Sequence, residues 1–300
     1  MAITKLSQLF SQLKSKSKKR LVAAYANDAH TIEAVNKAVE MDIIDATLVG
    51  DIETIKNVCA KENIDSSKFE LVQEADPQKA AHKACMLINE GKGDFIMKGL
   101  VSTEQYMRAL LNKETGLMIP KSILSHVTVM ESPAYHKLLI FGDVAIIPSP
   151  EMPEKIAITN YLIKTAHSLG IEKPKVAIIA ASEQISLKMQ ATIDAAVLSK
   201  MSDRGQFTNA YIDGPLALDV AIDKESAEIK KLSGNVAGDA DCLVFPNIEA
   251  GNIFYKTNTK LAGGILGAMV LGARVPAVLS SRGDSVETKL ISIGLAALQA

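Results

Sequence analysis

Apolar runs of strand length alternate with segments of helical period along most of this chain. Leu21–Ala26, Ala46–Val49, Phe69–Val72 and Phe95–Lys98 read as strands, and Thr31–Met41, Pro77–Glu90 and Thr103–Leu111 as helices. Leu138–Pro148 begins a second series. It continues as a helix over Pro153–Leu169, a strand over Val176–Ala181, a helix over Lys188–Met201 and a strand end at Tyr211–Asp213. Such alternation predicts mostly parallel sheets with helices on both faces. Ligands of these sheets bind beyond the carboxyl ends of the strands, so polar residues there carry the most information.

Two stretches need separate treatment. Leu261–Ser281 is the longest apolar run, but Arg274, Pro276 and its glycines interrupt it as a membrane span. It reads as a buried helix, with Gly263-Gly-Ile-Leu-Gly267 as close-packing small residues, followed by a buried strand. Between Gly116 and Ser132 the pattern breaks with loop punctuation, a candidate domain boundary.

The polar strand ends follow. Pro276-Ala-Val-Leu-Ser-Ser-Arg-Gly-Asp-Ser-Val-Glu-Thr288 is an apolar strand that stops at two hydroxyls and an arginine, turns at a glycine and opens a helix. Asp284 or Ser285 is placed to cap that helix, and Asp284-x-x-Glu287 has capping-box spacing. Backbone N–H groups and the guanidinium of Arg282 make this turn a ready anion site. Asp241–Asn252 repeats the plan, with Asn247, Gly251 and Asn252 in a polar turn that binds a ligand or caps a helix. Lys98-Gly-Leu-Val-Ser-Thr103 ends another strand, where Ser102 and Thr103 hold a phosphate or cap the helix that carries Arg108. Ser125-His126 follows a short apolar run, and Asp213-Gly-Pro215 closes a strand as a binding residue or a plain turn.

Bulk properties narrow the classes. The 300 residues are 48% hydrophobic and 22% charged, enough for two domains with proper cores. A net charge of −1 and only 4% aromatics, without Trp, give no case for nucleic acid. Cys59, Cys85 and Cys242 match neither a disulfide framework nor a zinc site and point to a reducing cytoplasm. Met1–Phe10 lacks the apolar core of a secretory leader, and the basic run Lys14–Arg20 reads as a solvated helix end before the first strand. No phosphate-binding glycine loop, dinucleotide fingerprint, His-Glu-x-x-His or Gly-x-Ser-x-Gly is present, and the five histidines form no ligand cluster.

Together these segments resemble the phosphate acetyl/butyryl transferase family. The resemblance rests on Met97-Lys-Gly-Leu-Val-Ser-Thr103, Leu124-Ser-His-Val127, Asp213-Gly-Pro-Leu-Ala-Leu-Asp219, Ala237-Gly-Asp-Ala-Asp241, Pro246-Asn-Ile-Glu-Ala-Gly-Asn252 with Tyr255-Lys256, and Ser281-Arg-Gly-Asp-Ser285. They run in the family's order from about Ala23 to the C-terminus. The resemblance implies a two-domain α/β fold like that of isocitrate and isopropylmalate dehydrogenases, with mostly parallel sheets and an interdomain cleft. Residues 1–123 plus 275–300 would form the first domain and 124–274 the second. It also implies the reaction acyl-CoA + phosphate ⇌ acyl phosphate + CoA, with butyryl favoured over acetyl, in a cytoplasmic dimer or higher homo-oligomer. Arg282 and Arg108 would hold the phosphate, and Ser281 would donate to the carbonyl or phosphate oxygen. Lys98, Ser102, Thr103, Ser125, His126, Asp213, Asn247, Gly251, Asn252 and Lys256 would bind substrate.

The family's base in acetyl-transferring members falls here at Thr288, so the thiol's proton goes to Glu287 or Asp284, or positioning alone suffices. CoA is a substrate, and neither a bound cofactor, a metal, a nucleic acid nor a membrane is called for. A 2-hydroxy-acid dehydrogenase of the same fold would need a carboxylate-held metal and a nicotinamide site, neither visible in the sequence. A non-catalytic acyl-CoA sensor would not need the Ser281-Arg282 pair.

Overall fold

The structure, a computed structural model, describes residues 2–280 and 283–300. It groups into two compact units. Residues 7–124 and 266–300 form the first, and residues 1–6 and 125–265 the second.

In the first unit, α1 (Leu6–Leu13) leads through the basic run into β1 (Lys19–Ala24), α2 (Ala29–Glu40), β2 (Ile44–Gly50), α3 (Ile52–Lys61), β3 (Glu70–Gln73), α4 (Pro77–Asn89), β4 (Phe95–Lys98) and α5 (Thr103–Leu110). Asp28, Asp51, Asp76 and Ser102 cap α2 to α5 by accepting a backbone N–H, and Pro77 starts α4 where no donor is needed. The basic run is surface structure. Lys18 pairs with Asp42, and Arg20 grips Asp94 at 2.7 Å.

The second unit is built from β5 (Ser125–Glu131), β6 (Leu139–Gly142), α6 (Met152–Ser168), β7 (Lys175–Ile179), α7 (Gln190–Asp203), β8 (Tyr211–Leu216), α8 (Leu218–Ile222), α9 (Lys224–Ile229), β9 (Cys242–Val244) and α10 (Ile248–Lys260). The chain then returns through β10 (Ile265–Leu271) and β11 (Ala277–Val278) to α11 (Val286–Gln299). Strand order is β3-β2-β1-β4-β11-β10 in the first unit and β5-β6-β9-β7-β8 in the second. Pairing is parallel except at β10–β11 and β5–β6, so the fold is α/β with mostly parallel strands, as the alternation predicts. Leu21, Val22, Phe95 and Ile96 fill the centre of the first unit, and Ile140, Phe141, Val176 and Leu243 that of the second.

Two expectations are corrected and one open choice is decided. The apolar run after Leu261 is not a helix followed by a strand but two strands, β10 and β11, paired antiparallel at Val270–Ala277. A strand buried on both faces is apolar without alternation, and periodicity cannot tell it from a buried helix. Gly267 therefore lies in a strand, where an added Cβ would meet Ile291 Cγ2 at 2.5 Å. Asp213-Gly-Pro215 does not close its strand. β8 continues to Leu216, and as an edge strand it tolerates the donor that Pro215 lacks. Finally, Ser285 rather than Asp284 caps α11, which puts Thr288 instead of Glu287 at the third helical position.

Candidate functional site

The chain order reverses between β1 and β4. β2 and β3 lie on one side of β1, and β4, β11 and β10 on the other. That reversal is where a parallel sheet opens a crevice at its carboxyl edge. β1, β4 and β11 run parallel, so their ends meet there. The segment leaving β4 is held against the one leaving β1: Gly99 N–H donates to Ala24 O and Leu100 N–H to Tyr25 O, both at 2.9 Å. Only glycine permits this approach, because a Cβ on residue 99 would stand 2.4 Å from Tyr25 O. The result is a cavity of about 270 Å³ lined by Asp28, Ala29, His30, Gly99, Leu100 and Lys289.

The expected site residues of the first unit that are described take different roles. Lys98 is buried, and its Nζ donates to Gly99 O at 3.1 Å and Val101 O at 3.0 Å, so it shapes the turn from within. Ser102 forms a full capping box with Gln105, and Thr103 is the first residue of α5. Arg108 is exposed and pairs with Glu104 one turn earlier at 2.7 Å. Glu287 is exposed in the first turn of α11, and Asp284 is half-buried just before it. Ser281 and Arg282 lie outside the described residues.

Lys289 was not singled out by sequence reasoning. It is 2% exposed, and its Nζ donates to Ser280 Oγ at 2.9 Å. Burial pushes its ammonium below the usual lysine range, against the pull of Asp28 and Asp284. The signal was available: a lysine on the apolar side of a terminal helix, next to Leu290, Ile291 and Ile293.

In the second unit the expected residues fall into three places. Ser125 and His126 open β5 and are buried. Ser125 Oγ donates to Asp143 Oδ2 at 2.9 Å, and His126 N–H to the same oxygen at 2.8 Å. Asp143 Oδ1 takes the N–H groups of Ala145 and Ile146 at 2.7 and 2.8 Å. α10 lies against the same loop. Asn247 caps the helix, Gly251 packs where a Cβ would be 2.5 Å from Asp143 O, and Asn252 Nδ2 donates to Val144 O at 3.1 Å. Lys256 rides over the Tyr255 ring at 4.9 Å. Asp213 stands apart on β8, with Oδ1 accepting the Gly214 N–H.

Thiol chemistry by the protein itself is disfavoured. Burial pushes the Cys85 thiol up to about 12 and that of Cys242 well above its ordinary value, so neither offers a thiolate near neutral pH. Among the described residues no group of three His, Cys, Asp or Glu side chains could hold a metal ion. Nor is any described helix long and apolar enough to cross a membrane.

These features match a known family. The phosphate acetyl/butaryl transferase model fits residues 5–80 and 74–297. The chain belongs to that family. It is 47% identical over 298 residues to a phosphate butyryltransferase of Clostridium acetobutylicum, covering 99% of each chain. A crystal structure of a branched-chain phosphotransacylase from Enterococcus faecalis V583 superposes with a TM-score of 0.81 at 29% identity, over 94% of this chain and 98% of that one. A 4-hydroxythreonine-4-phosphate dehydrogenase from Klebsiella pneumoniae aligns at a TM-score of 0.55 and 13% identity, over 93% and 98% of the chains. That likeness speaks for the fold alone and makes the architecture dehydrogenase-like, as the resemblance implied.

Proposed function

We propose that this family member exchanges phosphate and CoA on a short acyl group, with butyryl preferred to acetyl. Its identity to a phosphate butyryltransferase along nearly the whole of both chains carries the reading. The cavity at the reversal between β1 and β4, with Gly99 and Lys289 in its lining, offers the chemistry a place.

In one direction a phosphate oxygen attacks the thioester carbonyl. The C–O bond forms, the C–S bond breaks, and the departing thiolate takes a proton. In the other, a CoA thiol loses its proton as it attacks the acyl phosphate and phosphate leaves. No oxidation state changes, so the atoms balance without a redox cofactor or a second co-substrate. The protein's tasks are to neutralise phosphate, to stabilise the carbonyl oxygen as it gains charge, and to handle one proton.

Arg282 and Arg108 hold the phosphate in this reading, and Ser281 donates to an oxygen of the reacting centre. Arg108 gives up only an exposed ion pair with Glu104, worth under about 1 kcal/mol, when phosphate arrives. Of the two base candidates Glu287 is exposed, whereas Asp284 faces the Lys289 ammonium. Glu287→Gln should lower kcat by about 10²-fold and remove one limb of the pH–rate profile. An unchanged profile would take Glu287 out of the role. The near-neutral charge fits small-molecule substrates handled by a cytoplasmic homodimer or higher homo-oligomer without nucleic acid or membrane.

The deciding assay is thiol release followed with DTNB, using phosphate and a panel of acetyl-, propionyl-, butyryl- and isobutyryl-CoA. Phosphate-dependent release with the highest kcat/KM for butyryl-CoA is expected. A higher value for acetyl-CoA would make the protein a phosphate acetyltransferase. No release with any member would leave an acyl-CoA-binding protein without turnover.

A further inference from the structure

Lys289 occupies a place that disfavours a cation twice. It is buried, and it is the fourth residue of α11, within the first turn, where the helix dipole repels positive charge. Leu290, Ile291, Ile293 and Leu295 of the same helix are core residues, so an apolar side chain would serve packing better. What the lysine does have is a set of partners drawn from separate elements. Ser280 accepts its hydrogen bond from the end of β11. Asp28 at the cap of α2, which lines the same cavity, and Asp284 in the turn before α11 attract its ammonium. His30, Gly99 and Leu100 line the same cavity. Ser280 is itself buried and is the residue directly before Ser281-Arg282.

We propose that Lys289 is a positioning residue for acyl transfer, anchoring the end of β11 through Ser280 so that the chain enters Ser281-Arg282 from a fixed point at the carboxyl edge. The anchor ties α11 to β11 next to the turn after β4 and the cap of α2. This rests on the role proposed above for Ser281 and Arg282. Displacing a reacting group by about 1 Å through a remote change can cost roughly 10²-fold in rate, which sets the scale of the expected effect.

The test compares Lys289→Met, Ser280→Ala, their double variant and Arg282→Ala in the DTNB assay with butyryl-CoA and phosphate. Lys289→Met should lose about 10²-fold in kcat with KM for butyryl-CoA within a factor of two and no loss of thermal stability. Ser280→Ala should lose a similar factor, and the double variant no more than the worse single one. Ser280→Thr, which keeps the hydroxyl, should restore most of the rate. A packing role would instead lower the melting temperature and leave kcat of the folded fraction intact, and that outcome overturns the proposal. So would additive losses. Should Lys289→Met fail to fold, Ser280→Ala decides alone: wild-type kcat overturns the anchor, and a lowered kcat with unchanged KM and melting temperature supports it. An inactive Arg282→Ala beside fully active Lys289→Met and Ser280→Ala removes the anchor but keeps the reaction assignment. Full activity in Arg282→Ala sinks the role of Arg282 and the anchor with it.

Discussion

The two units finish their central strands in opposite ways. At the carboxyl edge of the first, β1, β4 and β11 end around a cavity whose walls include Asp28, His30 and the buried Lys289. At the corresponding edge of the second, β6 runs straight into Asp143, which is 1% exposed and whose two carboxyl oxygens are taken up by four donors. One edge keeps polar groups facing a cavity. The other spends its Asp143 carboxylate on its own donors. Polarity at a strand end therefore marks a site only when its partners leave room for a ligand.

The strongest way to break this contrast is to remove the second edge's hub. Asp143→Ala leaves Ser125 Oγ and the N–H groups of His126, Ala145 and Ile146 without their shared acceptor. Ala145 and Ile146 are partly exposed and can turn to water, so at about 1–3 kcal/mol for each of the two buried donors, Ser125 Oγ and the His126 N–H, a loss of about 3–4 kcal/mol is expected. Urea unfolding monitored by circular dichroism measures it. A loss below about 1 kcal/mol would mean that water or a rearranged loop satisfies those donors, and the edge would then be open after all.

Gly251 tests the same closure more gently. A methyl there would lie 2.5 Å from Asp143 O, 3.0 Å from Val144 Cγ1 and 3.1 Å from a Phe245 ring carbon, so α10 has to shift. Gly251→Ala should cost about 1–3 kcal/mol, as overpacked core positions do. If KM for acyl-CoA rises while stability holds, Gly251 touches substrate directly and the closed-edge picture needs revision. If the melting temperature falls with KM unchanged, its role is to seat the helix.

The contrast also shows what could be read from the chain alone. Strand β4 and helices α4 and α5 were legible because an apolar run, a Pro or Ser at the start and a glycine after the strand all agree within a few residues. The β10–β11 pair was misread because continuous burial erases the period that separates strand from helix. Helix α3 passed unnoticed although Asp51 caps it, since only Ile55 and Cys59 of its residues are buried. Around the candidate site, the Lys98–Thr103 segment drew notice by its position at a strand end. Lys289 and Asp143 did not, because their meaning lies in who meets them: Asp28 is 261 positions from Lys289, and Ser125 is 18 from Asp143. Ser125 and His126 were noticed from the sequence, but their shared acceptor Asp143 was not.

The smallest expected effect lies at the opposite, amino edge of the second unit, where a charged cluster surrounds a cavity of about 660 Å³. Asp239 pairs with Lys137 at 2.9 Å, with His136 at 2.9 Å and with Lys175, while Lys137 also reaches Asp241 at 2.7 Å. Burial raises the Asp239 carboxyl, but the hydrogen bonds and charges of Lys175 and Lys137 outweigh it and hold the group at about 2, against an ordinary 3.8. A depressed carboxyl stabilises the fold above its unfolded value and loses that contribution as pH falls through the folded one. The window is therefore from about pH 4 down to about pH 2. The side chain is 40% exposed, so screening cuts the contribution to about 1 kcal/mol. Asp239→Asn should lose about that much at pH 7, lose less in high salt, and converge with the wild type near pH 2. Its kcat should stay at the wild-type level, because this edge lies at the starts of the strands and not at their ends. A fall in kcat larger than the loss of stability explains would place a working group at the wrong end of the sheet, and the division between the two edges would fail.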